Sequence, residues 1–171
     1  FRGSDYLSIA DASGTKAWEF GTGAFTLEYY IYHRGSIGNS SYNVHMAGTS
    51  LNAIWLGKTN SDTFWVRRVA NTNDVIANHY TSMIKKRKWH HIAICRNDSN
   101  LMQLFVDGAL WGEDTSASHS YVGGGFQIGA DSYNGVQYGT VDDAYISSVR
   151  FIQGQALYTN SFAPTGGLLP A

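Results

Sequence analysis

The sequence contains few of the residues that identify several common classes of protein. Of its 171 residues, one is cysteine (Cys95) and two are proline. A single cysteine excludes an internal disulfide and a cysteine-rich zinc site. The chain has 12 Lys and Arg against 13 Asp and Glu, whereas binders of nucleic acid or membrane surfaces carry a basic excess. No stretch approaches the roughly 18 apolar residues of a membrane-spanning helix, so we expect neither nucleic-acid binding nor membrane insertion.

Glycine and aromatic residues, by contrast, are abundant. The chain has 19 Gly, 11 Tyr, 8 Phe and 5 Trp, and 43% of its residues are hydrophobic, which is the composition of a folded domain. The length fits a single domain over residues 1–171 that is large enough to fold around its own core. Since the sequence begins at Phe1, next to a strand-like segment, we expect it to be a trimmed or processed piece of a longer chain.

Alternation of apolar and polar residues with period two predicts strands along much of the chain. Phe25–Tyr32 has one consistently apolar face, as in a strand with one side on a core. Trp89–Arg96 carries apolar residues on both faces, which is typical of an inner strand in a two-layer structure. Asp107 and Gly108 lie between two apolar runs and predict a two-residue hairpin turn, because both central positions of such a turn need positive φ.

Shorter runs predict further strands and turns. Asn134 and Gly135 indicate another turn, and residues 80–88 predict a short helical turn. The count of strands reaches ten or more without βαβ alternation, which indicates an all-β, two-sheet antiparallel sandwich or jelly roll. The additional strands are predicted at 6–9, 43–48, 53–58, 63–69, 101–106, 109–111, 125–129 and 144–152.

Several segments together resemble the laminin-G-like domains of the concanavalin A-like lectin/glucanase superfamily. Gly3–Ser8 resembles the family's first strand, and Phe20–Glu28 (F-G-T-G-A-F-T-L-E) resembles the entry into its second. Trp89–Ala93 (W-H-H-I-A), followed by Leu104–Gly108 (L-F-V-D-G), resembles its strand-and-hairpin pair. The resemblance implies a sandwich of two curved antiparallel sheets. Because this fold carries lectins, adhesion modules, glycosidases and structural domains, function has to be argued from the site.

The end of the chain resembles a narrower group of these domains. Ile146–Arg150, Gly154–Tyr158 and Asn160–Pro164 are similar to the ending shared by laminin-G-like domains of tailed-phage virion proteins and related environmental sequences. This resemblance implies a place on a virion surface.

The acidic residues do not form the pattern of a glycosidase. A retaining enzyme needs two carboxylates about 5 Å apart, at alternate strand positions facing one cleft. The catalytic relatives show Glu-x-Asp-x-x-Glu, which none of the 13 acids here forms. The pairs Glu113–Asp114 and Asp142–Asp143 are adjacent in sequence, so in strands their side chains would face opposite sides. We therefore predict that the domain is not an enzyme.

Three aspartates are candidate calcium ligands. Laminin-G-like domains hold Ca²⁺ at the rim of the sandwich with Asp carboxylates and backbone carbonyls, the oxygen donors that this ion prefers. Asp131, Asp142 and Asp143 flank a loop rich in Gly and Tyr and could supply such donors there, although they do not coincide with the family's calcium-binding positions. The alternative is that they are solvated loop acids. Calcium is the one cofactor to be considered.

Aromatic side chains are the candidate ligand-binding residues, because sugar rings stack on aromatic faces through their C–H groups. Trp111, Tyr121, Tyr133 and Tyr138 lie in or next to Gly-rich loops, among polar residues. They either bind a glycan, or cover sheet edges or pack on a neighbouring subunit. The other four tryptophans are predicted to pack in the core or on a sheet: Trp18, Trp55, Trp65 and Trp89.

One dense run of charge, Lys85–Lys88, precedes a predicted central strand. It either contacts a sulfated or phosphorylated polymer or forms a solvated connection, and the balanced net charge of the chain favours the connection.

Together these observations predict a non-enzymatic surface domain of a tailed-phage virion, as a capsid decoration or a tail or fibre component. Such a domain would bind glycans or the host surface weakly in each copy and gain avidity from many copies. Its expected partners are other virion proteins and host-surface glycans, and its expected location is the virion surface or the extracellular space. Two alternatives stay open: a purely structural virion domain that cements or oligomerises, and a carbohydrate-binding or adhesion module of a cellular surface protein.

Overall fold

The computed structural model describes most of the chain, and the described residues form thirteen strands and no helix. They are residues 1, 5–10, 18–34, 43–49, 53–58, 63–67, 74–79, 84–122, 124–133, 136–141 and 143–165. Within them, no helix exists that could span a membrane. The strands are β1 (Leu7–Ile9), β2 (Phe25–His33), β3 (Asn43–Gly48), β4 (Trp55–Lys58), β5 (Thr63–Arg67), β6 (Asp74–His79), β7 (Trp89–Arg96), β8 (Met102–Val106), β9 (Ala109–Asp114), β10 (Phe126–Ile128), β11 (Ala130–Tyr133), β12 (Val136–Thr140) and β13 (Ala144–Gln153).

The strands build two sheets that pack face to face, which confirms the predicted all-β sandwich. The five-stranded sheet has the order β13-β2-β7-β8-β9, with every neighbouring pair antiparallel. The eight-stranded sheet runs β1-β10-β3-β4-β5-β6, and β12 joins it beside β3 and pairs with β11. The contact between β12 and β3 is a single parallel pair, Thr140 with Asn43.

The core lies between the two sheets and is built from one face of each strand. On β2 the odd-numbered positions from Phe25 to Ile31 are fully buried and face the other sheet. On β7 the inward residues include Ile92 and Ile94. This alternation is the one that the sequence predicts for both strands. The eight-stranded sheet contributes Met46, Leu56, Phe64, Val66, Ile76, Phe126 and Ile128.

The turn between β8 and β9 has the predicted two-residue form. Asp107 and Gly108 both adopt positive φ, 49° and 77°, as a turn of this type requires. Gly108 is also approached from outside the hairpin. The backbone N–H of Phe162 donates to the Gly108 carbonyl at 2.9 Å, and a Cβ at Gly108 would lie 1.9 Å from the Phe162 carbonyl oxygen. The glycine therefore allows both the turn and a close crossing of the chain.

This crossing belongs to an extended segment, residues 155–165, which we name the C-terminal strap. The strap lies on the outer face of the five-stranded sheet, the face turned away from the core. Its aromatic rings Tyr158 and Phe162 stack at 3.6 Å between centroids and cover Ala93, Cys95 and Phe105 of the sheet. Burial of this second, smaller apolar cluster explains why β7 carries apolar residues on both faces.

A buried carboxylate fastens the strap to the sheet. Glu28 on the outer face of β2 is 0% exposed. It accepts hydrogen bonds from His91 Nε2 (2.9 Å), Arg150 Nε (2.6 Å) and the Tyr158 hydroxyl (3.0 Å). Burial raises the pKa of Glu28, but the hydrogen bonds from these three groups and the charge of Arg150 outweigh it and hold the pKa below its ordinary value. Glu28 is therefore an ionised group that joins β7, β13 and the strap to β2.

The structure also adds to and corrects the predicted elements. β6 (Asp74–His79) was not predicted, because its residues show little alternation. Within the predicted helical turn at 80–88, residues 84–88 form bends and turns rather than helix, and residues 80–83 lie outside the described residues. Asn134 and Gly135 also lie outside them, although the flanking pair Tyr133–Val136 joins β11 to β12.

Candidate functional site

An open cleft lies at one end of the five-stranded sheet, on its outer face beyond the strap. The strap follows β2 as far as Tyr30, whose hydroxyl donates to the Thr165 carbonyl, and the cleft begins two residues further along. Its volume is about 560 Å³. The lining residues are Tyr32, Arg34, Arg87, Trp89, Asp143 and Tyr145.

Three aromatic side chains cross the floor of this cleft on three adjacent strands. Tyr32 of β2 is the direct partner of Trp89 in the pairing with β7 and of Tyr145 in the pairing with β13. Residues directly opposite on antiparallel strands point to the same face, so the three rings form a row. Tyr32 lies 5.5 Å from Trp89 and 6.0 Å from Tyr145 between ring centroids. We name these three residues the aromatic row.

The aromatic row is open to solvent. Trp89 is 44% exposed and Tyr145 is 48% exposed, whereas Tyr32 between them is half-buried. Its rings are not coplanar: Tyr32 is inclined by 54° to Trp89 and by 40° to Tyr145. The floor is thus formed by three rings inclined to one another, two of them nearly half exposed in an open groove.

An ion pair stands at one side of the row. Arg34 donates from Nε to Asp143 Oδ1 at 2.8 Å and from Nη1 to the Tyr145 hydroxyl at 3.1 Å. Its guanidinium carbon also lies 5.3 Å from the centre of the Tyr145 ring. The hydrogen bonds to Asp143 and Tyr145 raise the pKa of Arg34. Arg34 therefore stays charged and is held in one position against the row.

A basic turn borders the other side of the cleft. Arg87 lies in the turn before β7 with a left-handed φ of 59°, and its backbone N–H donates to the His33 carbonyl at 2.7 Å. This hydrogen bond fastens the turn to the end of β2 and places Arg87 on the cleft wall beside Trp89. Lys85–Lys88 are all exposed, as predicted for a connection, but the sequence did not indicate that Arg87 lines a cleft.

The turn is supported by a carboxylate in the next hairpin. Asp107 accepts from the backbone N–H of His91 at 2.9 Å and contacts His90 Nδ1 at 2.8 Å and Lys88 Nζ at 3.5 Å. Partial burial raises the pKa of Asp107, but the hydrogen bonds from His91 and His90 and the charge of Lys88 outweigh it and hold the pKa below its ordinary value. His90 and His91 lie on opposite faces of β7 and have separate partners, Asp107 and Glu28.

The four predicted ligand-binding aromatics have different surroundings. Trp111 lies in β9, partly buried against the core, rather than in a loop. Tyr121 is 1% exposed and its ring packs against Phe25 at 5.8 Å, so it presents no face to a ligand. Tyr133 and Tyr138 lie in β11 and β12, and their side chains lie outside those that the structure describes.

The tryptophans predicted to pack inside need one correction. Trp55 and Trp65 are buried together in a cluster of the eight-stranded sheet, and Trp18 packs against the core. Trp89 is exposed instead, because it is the first residue of β7 and lies beyond the strap that buries the rest of that face. The apolar neighbours of Trp89 in sequence indicate a buried strand, and no local signal in the sequence marks this position as one that residues 155–165 leave exposed.

The three predicted calcium ligands are not all within the described side chains. Asp143 Oδ1 accepts two hydrogen bonds from Arg34, and a guanidinium so close disfavours a second cation at that oxygen. Asp131 lies in β11 and Asp142 precedes β13, and the side chains of both lie outside the description. Among the residues that the structure describes, no group of three His, Cys, Asp or Glu side chains is arranged to hold a metal ion.

Several solved structures share this fold. A heptameric SAP-like pentraxin from Limulus polyphemus matches with a TM-score of 0.56 at 14% identity, over 90% of this chain and 77% of that chain. The receptor-binding domain of botulinum neurotoxin D matches with a TM-score of 0.65 at 12% identity, over 91% of this chain and 39% of that chain. The binding domain of botulinum neurotoxin DC in complex with rat synaptotagmin II matches with a TM-score of 0.61 at 14% identity, over 91% and 38%.

These likenesses support the fold, and this chain spans about two fifths of the neurotoxin chains. No curated protein matches the sequence. A family model does match: it is Laminin_G_3, described as the concanavalin A-like lectin/glucanases superfamily, over residues 1–156. With the two-sheet sandwich and the strand-and-hairpin pair around β7, the chain belongs to the concanavalin A-like lectin/glucanase superfamily.

Proposed function

We propose that this domain is a non-enzymatic binding module and that the aromatic row stacks on the sugar rings of a surface glycan. The observation that carries the proposal is the row itself: three rings on adjacent strands, two of them nearly half exposed, in an open groove. Exposed aromatic faces beside fixed polar groups are the ordinary means by which proteins bind sugars. Adjacent exposed apolar side chains on a soluble domain are typical of a surface that binds a ligand or a partner.

The shape of the row favours a soluble glycan chain. Flat, crystalline polysaccharide surfaces are matched by coplanar rings, whereas Tyr32 is inclined to both of its neighbours. A single glycan chain that bends along the groove can place two of its sugars over the two exposed rings. Arg34, held by Asp143, supplies charged donors at a fixed position for sugar hydroxyls.

The similar structures lend this proposal support by analogy. The neurotoxin matches are receptor-binding domains, one solved with rat synaptotagmin II and another in complex with SialylT. Binding rather than turnover is the role that these names print. For the present chain, that role is inferred from its own cleft, since an identity of 11–14% with the toxins carries the fold alone.

We place this binding domain on the surface of a tailed-phage virion, on the capsid or on a tail or fibre, with many copies supplying avidity. The support is the sequence of the ending, which forms part of β13 and the strap. In the two alternatives the domain only cements virion proteins, or it is an adhesion module of a cellular surface protein. Domains encoded beside it in the full gene would distinguish the cellular alternative from the virion.

The test is a glycan array probed with the domain displayed in many copies. We expect binding, and at least a tenfold loss in the variants Trp89→Ala and Tyr145→Ala, which corresponds to about 1.4 kcal/mol. The matched control is Tyr6→Ala, which removes an equally exposed tyrosine beside β1 in the other sheet and should leave binding unchanged. Equal loss in all three variants, or no binding on a broad array, would contradict the proposal and favour cementing.

The same array tests the other candidate residues. Tyr133→Ala and Tyr138→Ala examine the aromatics of β11 and β12, and a chelator examines calcium held by Asp131, Asp142 and Asp143. Loss of binding in either tyrosine variant, with Trp89→Ala unaffected, would move the glycan site to the β11–β12 hairpin. Loss of binding on chelation, restored by Ca²⁺ alone, would establish calcium as a cofactor.

A further inference from the structure

Positive charge is concentrated around the cleft. The whole chain has a formal net charge of −1. Yet the cleft and its basic turn contain Arg34 and all four residues of Lys85–Lys88. Among the residues that the structure describes, the acidic side chains in contact with these cations are Asp143 and Asp107. The surface around the aromatic row is therefore cationic on a protein that is slightly anionic overall. A local positive potential of this kind attracts anionic ligands.

The two arginines of the cleft differ in their acidic partners within the protein. Arg34 is paired with Asp143, so most of its charge is neutralised within the protein. Arg87 has no acidic partner among the described residues, and its side chain lines the cleft beside Trp89. A guanidinium offers five N–H donors in a planar fork that matches a carboxylate or sulfate group in a bidentate manner. Arg87 is thus the group positioned to accept an anion over the row.

The backbone conformation at Arg87 fixes the position of this residue beside the cleft. A φ of 59° is a left-handed conformation that glycine and asparagine adopt readily and that costs other residues free energy. The turn is nevertheless fixed there by the hydrogen bond to His33. The hydrogen bond therefore holds the turn, and with it Arg87, at the wall of the cleft.

We infer that the cleft binds an acidic glycan, with its carboxylate or sulfate group on Arg87 and its sugar ring on the aromatic row. This inference rests on the proposed glycan binding and specifies the ligand's chemistry. A single-stranded nucleic acid also combines negative charge with rings that stack. Proteins that bind it follow the backbone with a track of cations, whereas this chain has an acidic balance overall and one basic turn.

The experiment measures binding of the multivalent domain to two matched pairs of immobilised polysaccharides. Dextran sulfate and dextran differ in sulfate; polygalacturonate and its methyl ester differ in free carboxylate. We expect the charged member of at least one pair to bind at least tenfold more tightly, and the pair that responds identifies the anionic group. Equal binding to both members of both pairs would overturn the inference and leave the proposed glycan binding intact.

Two variants distinguish binding of the anionic group at Arg87 from nonspecific electrostatic attraction to the basic turn. Arg87→Gln removes the guanidinium that has no acidic partner in the described part of the chain. We expect it to reduce binding of the charged polysaccharide at least tenfold while binding of its neutral partner stays the same. Lys86→Gln is the matched control, because it removes an exposed charge from the same turn but does not line the cleft. We expect it to change binding less than twofold. Equal losses in the two variants would overturn the assignment to Arg87.

The remaining outcomes distinguish the inference from the function on which it rests. If Trp89→Ala abolishes binding of the neutral and charged members alike, the glycan site is supported whatever the result for Arg87. If Trp89→Ala has no effect while Arg87→Gln does, stacking on the row is wrong and both proposals fail. A single-stranded oligothymidylate that binds more tightly than either acidic polysaccharide would overturn the choice of a glycan. Unchanged urea unfolding of Arg87→Gln confirms that the variant is folded.

Discussion

The outer face of the five-stranded sheet is divided into a covered half and an open half, built from the same three strands. In the covered half, Tyr30 and His91 are opposite one another and lie beneath the strap. In the open half, two residues further along β2, Tyr32 lies opposite Trp89 without that cover. Both halves carry aromatic rings and an ion pair, so composition alone does not distinguish them.

The difference lies in the burial of the ion pairs. Arg150 meets a Glu28 that is 0% exposed, whereas the side chains of Arg34 and Asp143 are each about one third exposed (33% and 36%). Burial makes a charge dependent on its partner, because no water replaces a partner that is lost. An exposed pair contributes little to stability and is accessible to a ligand. The same types of side chain therefore stabilise the fold beneath the strap and, beyond it, form the exposed surface that we propose binds a glycan.

Removing the buried carboxylate is expected to have the largest effect. Glu28→Gln leaves Arg150 without its counter-charge and weakens the contacts to His91 and Tyr158, so we expect the free energy of unfolding to fall by about 3 kcal/mol. Urea denaturation followed by tryptophan fluorescence measures it. The matched variant in the open half is Asp143→Asn, for which we expect little change, since its pair is exposed. Similar losses in the two variants would remove the distinction between the halves.

Loosening the strap is expected to have a smaller effect. Gly108→Ala forces a left-handed alanine and also places its Cβ against the Phe162 carbonyl, so we expect a loss of about 2 kcal/mol. The control is Gly154→Ala, which has a similar φ of 80° but no atom within 4 Å of the added Cβ. Its free energy of unfolding should fall only by the cost of a left-handed alanine, about 1 kcal/mol.

Thermal unfolding and limited proteolysis of the strap measure both glycine variants. Because Phe162 helps to cover Cys95, reaction of this thiol with a maleimide should be faster in Gly108→Ala than in Gly154→Ala. Equal stability and equal labelling in the two variants would show that the crossing at Gly108 does not hold the strap.

The covered half could be predicted from sequence only in its local parts. β2, β7, the β8–β9 hairpin and β13 follow from alternation and from Asp107-Gly108, since these signals lie within a few neighbouring residues. The ending was noticed as a motif, but its position over the sheet depends on contacts such as Tyr158 with Glu28, 130 residues apart. Its apolar contacts explain the second apolar face of β7 only after the fold is known.

The open half was largely beyond such prediction. The aromatic row requires the register of β2 with both β7 and β13, and the pair Arg34–Asp143 joins residues 109 positions apart. The sequence predicts that Trp89 packs in the core or on a sheet, because its neighbours are apolar. It predicts that Tyr121 binds a ligand, because its neighbours include Gly and Ser. A better signal was present in the polar residues just before β7: a basic turn directly ahead of an exposed first position of a strand.

Acid is expected to weaken part of the contact that Glu28→Gln removes altogether. The pKa of Glu28 is lower in the folded protein than its ordinary value, so the unfolded chain takes up the proton first as the pH falls. Stability from this group is complete above about pH 5 and is lost as the pH falls through the folded pKa. Asp107, whose folded pKa is also lowered, acts in the same direction.

The two carboxylates can be separated by comparing variants. Urea unfolding at a series of pH values below 5 should show a steeper loss of stability with falling pH in the native protein than in Glu28→Gln. The pH dependence that remains in Glu28→Gln includes the contribution of Asp107. The difference between the two curves cannot exceed the loss that Glu28→Gln shows at neutral pH, because protonation and substitution neutralise the same carboxylate. Parallel curves would mean that Glu28 is not the group that joins the strap to the sheet by its charge. In that case the stacked pair of Tyr158 and Phe162 would have to hold the covered half by apolar contact alone.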